Sequence, residues 1–227
     1  MASVPRGKFI TFEGLDGSGK STQIEKLAGV LRAERLPVVV TREPGGTRTG
    51  EKIRHLLVDR GVSQLVPLAE LALMFASRAQ HVSEVILPAL AQGKIVLCDR
   101  FTDSSEAYQG GGRKLGSDVV LRLHGILCAE FEPDLTILMD SDVASSVGRA
   151  RRRNRARTAG KNDESRFEQE NRAFFERVRD AYLAIARREP ERVVMVDARG
   201  SPQETHRHIL EVVRHKLKLR SAERGSG

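Results

Sequence analysis

The segment Gly14-Leu15-Asp16-Gly17-Ser18-Gly19-Lys20-Ser21 constrains this chain more than any other feature. It fits the phosphate-loop pattern of a glycine, four residues, Gly-Lys and then Ser or Thr. A short apolar run, Lys8 to Glu13, precedes it and reads as a strand. A helical pattern, Lys20 to Glu34, follows, with Ile24, Leu27, Val30 and Leu31 on one face. In that context the glycines let successive N–H groups turn toward one point and form an anion nest. The N-terminus of the helix adds partial positive charge. The nest spans Gly14, Leu15, Asp16, Gly17, Ser18, Gly19, Lys20, Ser21 and Thr22. Lys20 is placed for the β- and γ-phosphates of a nucleoside triphosphate, and Ser21 for Mg²⁺. The alternative is a bare turn, which requires strand, loop and helix to coincide by chance. The loop alone does not separate a kinase from a GTPase or a motor ATPase, but no Asn-Lys-x-Asp stretch for guanine is present.

Further apolar runs continue the alternation. Leu36 to Thr41, Lys94 to Cys98, Leu135 to Asp140 and Arg192 to Asp197 read as strands. The run Val38, Val39, Val40 predicts a strand buried on both faces. Helical patterns cover Leu68 to Ala91, Val119 to Ala129, Arg166 to Arg188 and Gln203 to Leu217. This order predicts an α/β fold with a five-stranded parallel sheet between two layers of helices. Ligands in such folds gather at the carboxyl ends of the strands. One domain over 1–217 is expected, with a basic, disordered tail over 218–227.

Charge and composition narrow the partners. The chain has 227 residues and a net charge of +8, which invites a nucleic-acid reading. Eight Phe, two Tyr and no Trp supply a base-stacking platform poorly, so polyphosphate is the simpler anion. No nucleic-acid partner is expected. Met1 to Lys8 lacks an apolar signal core, and no apolar run approaches the ~20 residues needed to span a bilayer. A cytoplasmic location without a membrane partner is expected. Cys98 and Cys128 read as buried, reduced thiols, and no Cys/His spacing suggests zinc.

A second set of motifs follows other strands. Thr41-Arg42-Glu43-Pro44-Gly45-Gly46-Thr47 comes after strand two, and Asp99-Arg100 after strand three. Two arginines therefore stand at the same end of the sheet as the phosphate loop. A phosphate acceptor is itself an anion, and guanidinium groups offset its repulsion by a nucleotide. The alternatives are a surface ion pair of Arg42 with Glu43 and a structural pair of Arg100 with Asp99.

The motifs FEGLDGSGKST, TREPGGT, DRF and AYQGGGR, in this order and spacing, closely resemble those of bacterial thymidylate kinases. The resemblance runs from about Lys8 to Leu217. It implies transfer of the γ-phosphoryl of ATP to dTMP with Mg²⁺, on a P-loop kinase fold, by a homodimer. It matches Asp16 to a contact with the acceptor 3′-hydroxyl, with an Asx turn as the alternative. Arg42 and Arg100 match the arginines on the dTMP phosphate, and Asp99 an acidic residue near Mg²⁺. Ser105, Tyr108 and Gln109 match positions lining the thymidine, with Tyr108 the wall against a 2′-hydroxyl or else a core tyrosine. Phe75 is expected to stack on the base and Arg78 to reach a thymine carbonyl. A spacing of three puts both on one helix face. Many family members space this pair by four, which would select Met74, and Phe75 also fits a core position.

Between strand four and the long helix lies a stretch crowded with Arg149, Arg151, Arg152, Arg153, Arg155, Arg157 and Lys161. Related kinases carry a mobile lid there, about 149–165. A closing loop rich in arginine supplies charge to the moving phosphoryl group and excludes water. Arg149 and Arg153 match the lid arginines best, so the resemblance makes Lys20, Arg100, Arg149 and Arg153 the catalytic set. A solvated face is the alternative for the run. Ser165 stands where the family usually has Asp, with Asp163 and Glu164 nearby. A different nucleotide kinase and a nucleic-acid-stimulated ATPase are the competing functions. The acceptor panel separates the first, and stimulation by DNA rather than dTMP the second.

Overall fold

The computed structural model describes residues 6–59, 61, 65–157 and 166–218. Its centre is β1 (Phe9–Glu13), buried along its whole length. Four further strands join it: β2 (Val38–Arg42), β3 (Ile95–Asp99), β4 (Leu135–Asp140) and β5 (Val193–Asp197). Their order is β2-β3-β1-β4-β5 and every pairing is parallel. The sequence-derived α/β architecture is therefore present, and β1, between β3 and β4, marks the switch point where such sheets open a crevice.

Strand parity sets the two faces of β1. Ile10 and Phe12 pack against Ile24, Leu27 and Leu31 of α1 (Lys20–Ala33) and Ile209 and Val213 of α9 (Pro202–Leu217). Phe9 turns the other way, toward Val82, Ile86 and Phe101. Each such fully buried side chain is worth about 1.5–3 kcal/mol. Glu13 shares the parity of Phe9, so the last residue of the central strand is a carboxylate pointing into the interior.

Four elements depart from expectation. β2 pairs only with β3 and is an edge strand, with Val40 42% exposed, so the valine run is not covered on both faces. The helix expected over Leu68 to Ala91 starts as α3 (Pro67–His81), passes through a π turn (Val82–Ile86) and resumes as α4 (Leu87–Ala91). Pro88 is the cause: it has no N–H for the Glu84 carbonyl, and Leu87 N–H bonds back to Val82 instead. Of the Arg-rich stretch, Arg149 to Arg157 belongs to the helix α7 (Val143–Arg157), since Arg is a good helix former and no proline interrupts it, while Lys161 and the rest of the expected lid, 158–165, lie outside the described residues. The helix expected from Arg166 begins only at Arg172 as α8 (Arg172–Arg188), because the Asn171 side chain accepts from Phe174 N–H at 2.9 Å and caps it.

α2 (Arg48–Val58) has no counterpart among the sequence-derived elements. Its apolar stripe is narrow, with Leu57 buried and Leu56 half exposed. A short α5 (Thr102–Ser105) leads into a π-helical segment (Glu106–Gly112), and α6 (Ser117–Cys128) follows. A Cβ on Gly112 would meet the Phe174 ring at 2.6 Å, so glycine there lets α8 lie against this segment. Cys98 and Cys128 are buried and free, and burial pushes both thiols up. No helix among the described residues is long and apolar enough to cross a membrane. The expected tail lies, from residue 219 onward, outside the described residues.

Candidate active site

The phosphate loop runs from β1 into α1. Lys20 is 5% exposed, and its Nζ donates to the carbonyls of Gly14 at 3.1 Å and Leu15 at 3.0 Å. Burial, then the nearby Arg100, lowers its pKa to about 8. Ser18 Oγ is buried and has no hydrogen-bond partner among the described residues. A buried hydroxyl without a partner is costly, and a phosphate oxygen in the nest would satisfy it. A Cβ on Gly17 would come within 2.2 Å of the Ser146 carbonyl, so α7 lies directly on the loop. There Arg149 Nε donates to the Gly17 carbonyl at 2.7 Å and Nη2 to Ser146 Oγ at 3.2 Å. Arg153 belongs to the same helix, but its side chain lies outside the described residues, as do Asp163, Glu164 and Ser165.

Ser21 Oγ donates to Asp99 Oδ2 at 2.8 Å. A hydroxyl and a carboxylate oxygen side by side at the mouth of a phosphate nest are the hard donors Mg²⁺ takes. Among the described residues no cluster of three or more His, Cys, Asp or Glu could hold a metal without help from a substrate.

Arg100 follows β3 with a φ of 75°. Its Nη2 donates to Asp16 Oδ1 at 2.9 Å and to Tyr108 Oη at 3.1 Å. Its Nη1 donates to Ser104 Oγ at 2.9 Å and to Tyr182 Oη at 3.1 Å. The guanidinium also lies 4.8 Å over the Tyr108 ring. Its ion pair is therefore with Asp16 in the phosphate loop and not with Asp99. Arg42 ends β2 opposite Asp99 and is half exposed. It pairs with Glu51 of α2 at 2.9 Å and not with Glu43, because Glu43 points inward.

Glu43 holds the next layer. Its Oε2 accepts from Arg78 Nε at 2.7 Å, and its Oε1 faces His81 Nδ1 at 2.9 Å. Arg78 Nη2 donates to Ser105 Oγ at 2.9 Å and to the Phe101 carbonyl at 3.1 Å, while Nη1 is buried with no partner among the described residues. Arg78 lies 4.6 Å over the Phe75 ring, so the pair shares one face of α3 as its spacing requires. Phe75 is 0% exposed and also packs with Leu71, Val120 and Cys128. Gln109 Nε2 donates to buried Glu70 at 2.8 Å, and Glu70 also receives Arg113 and Arg166.

Sequence reasoning missed Glu13, Glu43, Glu70, Ser104 and Tyr182. Glu43 and Glu13 sit inside recognised motifs, and the signal was a carboxylate beside an apolar strand end. Tyr182 looked only like an apolar position of a helix, and nothing local marks its hydroxyl.

Comparison with known proteins extends this picture. A sequence model of the family described as thymidylate kinase matches residues 12–209. Thymidylate kinase from Geobacter sulfurreducens is 48% identical over 94% of this chain and 100% of that relative. Its counterpart from Pelobacter propionicus is 49% identical over 93% of this chain and 96% of that relative. The crystal structure of thymidylate kinase from Ehrlichia chaffeensis superposes with a TM-score of 0.73 at 33% identity, covering 92% of this chain and all of that one. The phosphate nest, the arginines at the carboxyl ends of β2 and β3, and near-half identity along almost the whole length agree: the chain belongs to the thymidylate kinase family.

Proposed function

We propose that this protein transfers the γ-phosphoryl group of ATP to dTMP, giving dTDP and ADP in the route to dTTP. The observation that carries the reading is the ion pair of Arg100 with Asp16 at 2.9 Å, which sets a guanidinium against the same phosphate loop whose Gly14 and Leu15 carbonyls hold the Lys20 ammonium. One anion in the nest and a second on Arg100 would meet end to end between them. Phosphoryl transfer asks little covalent chemistry of a protein; it asks for alignment and for charge where the reacting oxygens gather. Lys20 would serve the β- and γ-phosphates, Arg42 and Arg100 the acceptor phosphate, and Arg149 the charge developing over the loop. Ser21 and Asp99 would hold Mg²⁺, which when bound neutralises charge on the phosphate oxygens.

For the nucleoside, the spare Nη1 of Arg78 supports a hydrogen bond to a thymine carbonyl, with Phe75 under it. Asp16 and Tyr108, both on Arg100, suit the deoxyribose, and Ser105 and Gln109 line the same segment. A homodimer fits as well: α6 presents Leu121, Ile126 and Leu127 to solvent, Ile126 at 77%, and sedimentation of the purified protein tests it.

The test is a coupled assay with ATP, Mg²⁺ and a panel of dTMP, dUMP, dCMP and AMP. The expected result is the highest kcat/KM with dTMP. ADP release driven by DNA and indifferent to dTMP would overturn the reading.

A further inference from the structure

Arg100 owes its pose to groups beneath it, and these converge on one carboxylate. Glu13 closes β1 with 0% exposure. Its Oε1 accepts from Phe101 N–H at 2.6 Å, and its Oε2 accepts from Ser104 Oγ at 2.5 Å and Tyr182 Oη at 2.9 Å. Ser104 and Tyr182 are the two hydroxyls that accept from Arg100 Nη1, and they lie 2.9 Å from each other. A hydroxyl has one proton. A carboxylate has none to give, so each hydroxyl must aim its proton at Glu13 and turn a lone pair to the guanidinium.

We infer that Glu13 is a positioning residue for the acceptor phosphate: through Ser104 and Tyr182 it orients Arg100. This rests on the reading that Arg100 grips that phosphate. The charged and titratable groups facing Glu13 are Arg100 and Cys98 from β3 and the turn after it, Asp103 of α5, Lys20 of α1 and Tyr182 of α8. Burial, then Asp103, raises the Glu13 pKa to about 7. Below that pH the carboxyl carries a proton and donates to one hydroxyl. That hydroxyl keeps a lone pair for Arg100 and turns its own proton to the other hydroxyl 2.9 Å away, so the pair is re-oriented and the negative charge beneath Arg100 is lost.

The test compares wild type with Glu13→Gln, Tyr182→Phe and Arg100→Ala, varying dTMP and ATP separately from pH 6 to 8. Glu13→Gln should raise KM for dTMP about tenfold and Tyr182→Phe about threefold, as expected for hydrogen bonds to a charged group. KM for ATP should stay within about twofold in both. The wild-type to Glu13→Gln ratio of kcat/KM for dTMP should climb through about pH 7, because only the wild type gains a carboxylate. Ionisation of dTMP itself cancels in that ratio. Equal rises in both KM values, or a flat ratio, would overturn the inference while Arg100→Ala still raised KM for dTMP. An unchanged KM in Arg100→Ala would overturn the acceptor reading itself. If Glu13→Gln does not fold, Tyr182→Phe decides, and an unaltered KM for dTMP there refutes the role.

Discussion

Arg149 Nε and the Gly17 carbonyl stand 2.7 Å apart, donor to acceptor, and join α7 to the phosphate loop. Gly17 has a φ of 81° and no room for a side chain beneath Ser146. Arg149→Ala should therefore lower kcat about a hundredfold, the usual scale for one donor lost from a charged transition state. Gly17→Ala should lower it as well, by forcing α7 off the loop. Steady-state kinetics with saturating substrates read both, and an unchanged kcat in Arg149→Ala would assign the role elsewhere on the helix.

Lys20 predicts a pH limit on nucleotide binding. Its ammonium is charged below about pH 8 and neutral above it in the free protein. Apparent ATP affinity should hold level up to about pH 7.5 and weaken as pH rises through 8. Titration calorimetry from pH 6.5 to 9 checks this, with Lys20→Ala as the control that has no such inflection.

Arg42 should separate the two substrates. Arg42→Ala is expected to raise KM for dTMP about tenfold and leave KM for ATP within twofold, since the residue closes β2 away from the nest. Stability should change by under about 1 kcal/mol, because the ion pair with Glu51 is half exposed. Thermal unfolding beside the kinetics tells the two effects apart.

Glu43 is the opposite case. It is buried between Arg78 and His81, so Glu43→Ala leaves a buried guanidinium without its carboxylate and should cost about 3–5 kcal/mol. The preference for dTMP over dCMP should fall too. An arginine donor suits the thymine carbonyl and rejects the cytosine amine only while its direction is held. Denaturant unfolding and a competition assay measure the pair.

Glu13 adds a stability signature. Its folded pKa of about 7 lies above the ordinary value of 4.5. Between those values the folded state holds more protons than the unfolded one, so stability falls as pH rises across that window. The loss reaches about 3 kcal/mol when complete. Glu13→Gln should lack this slope when unfolding is compared at pH 5 and 8.

Periodicity and motif spacing alone carried the layer architecture, all five strands and the phosphate loop. These are local properties: side-chain parity, helix period and a loop whose backbone N–H groups need only glycine and a helix start. The motif resemblance singled out Arg42, Arg78 and Arg100 but not the side chains each one meets. Arg42 meets Glu51, Arg100 meets Asp16, and the carboxylate behind Arg78 is Glu43. Those pairings, the bend at Pro88 and the edge position of β2 depended on which segments pack together. The clearest instance is Glu13 with Tyr182, 169 positions apart in the chain. No window of sequence contains both, and only the docking of α8 under the end of β1 makes a strand-end glutamate and an apolar-looking tyrosine into one hydrogen-bonded unit beneath Arg100.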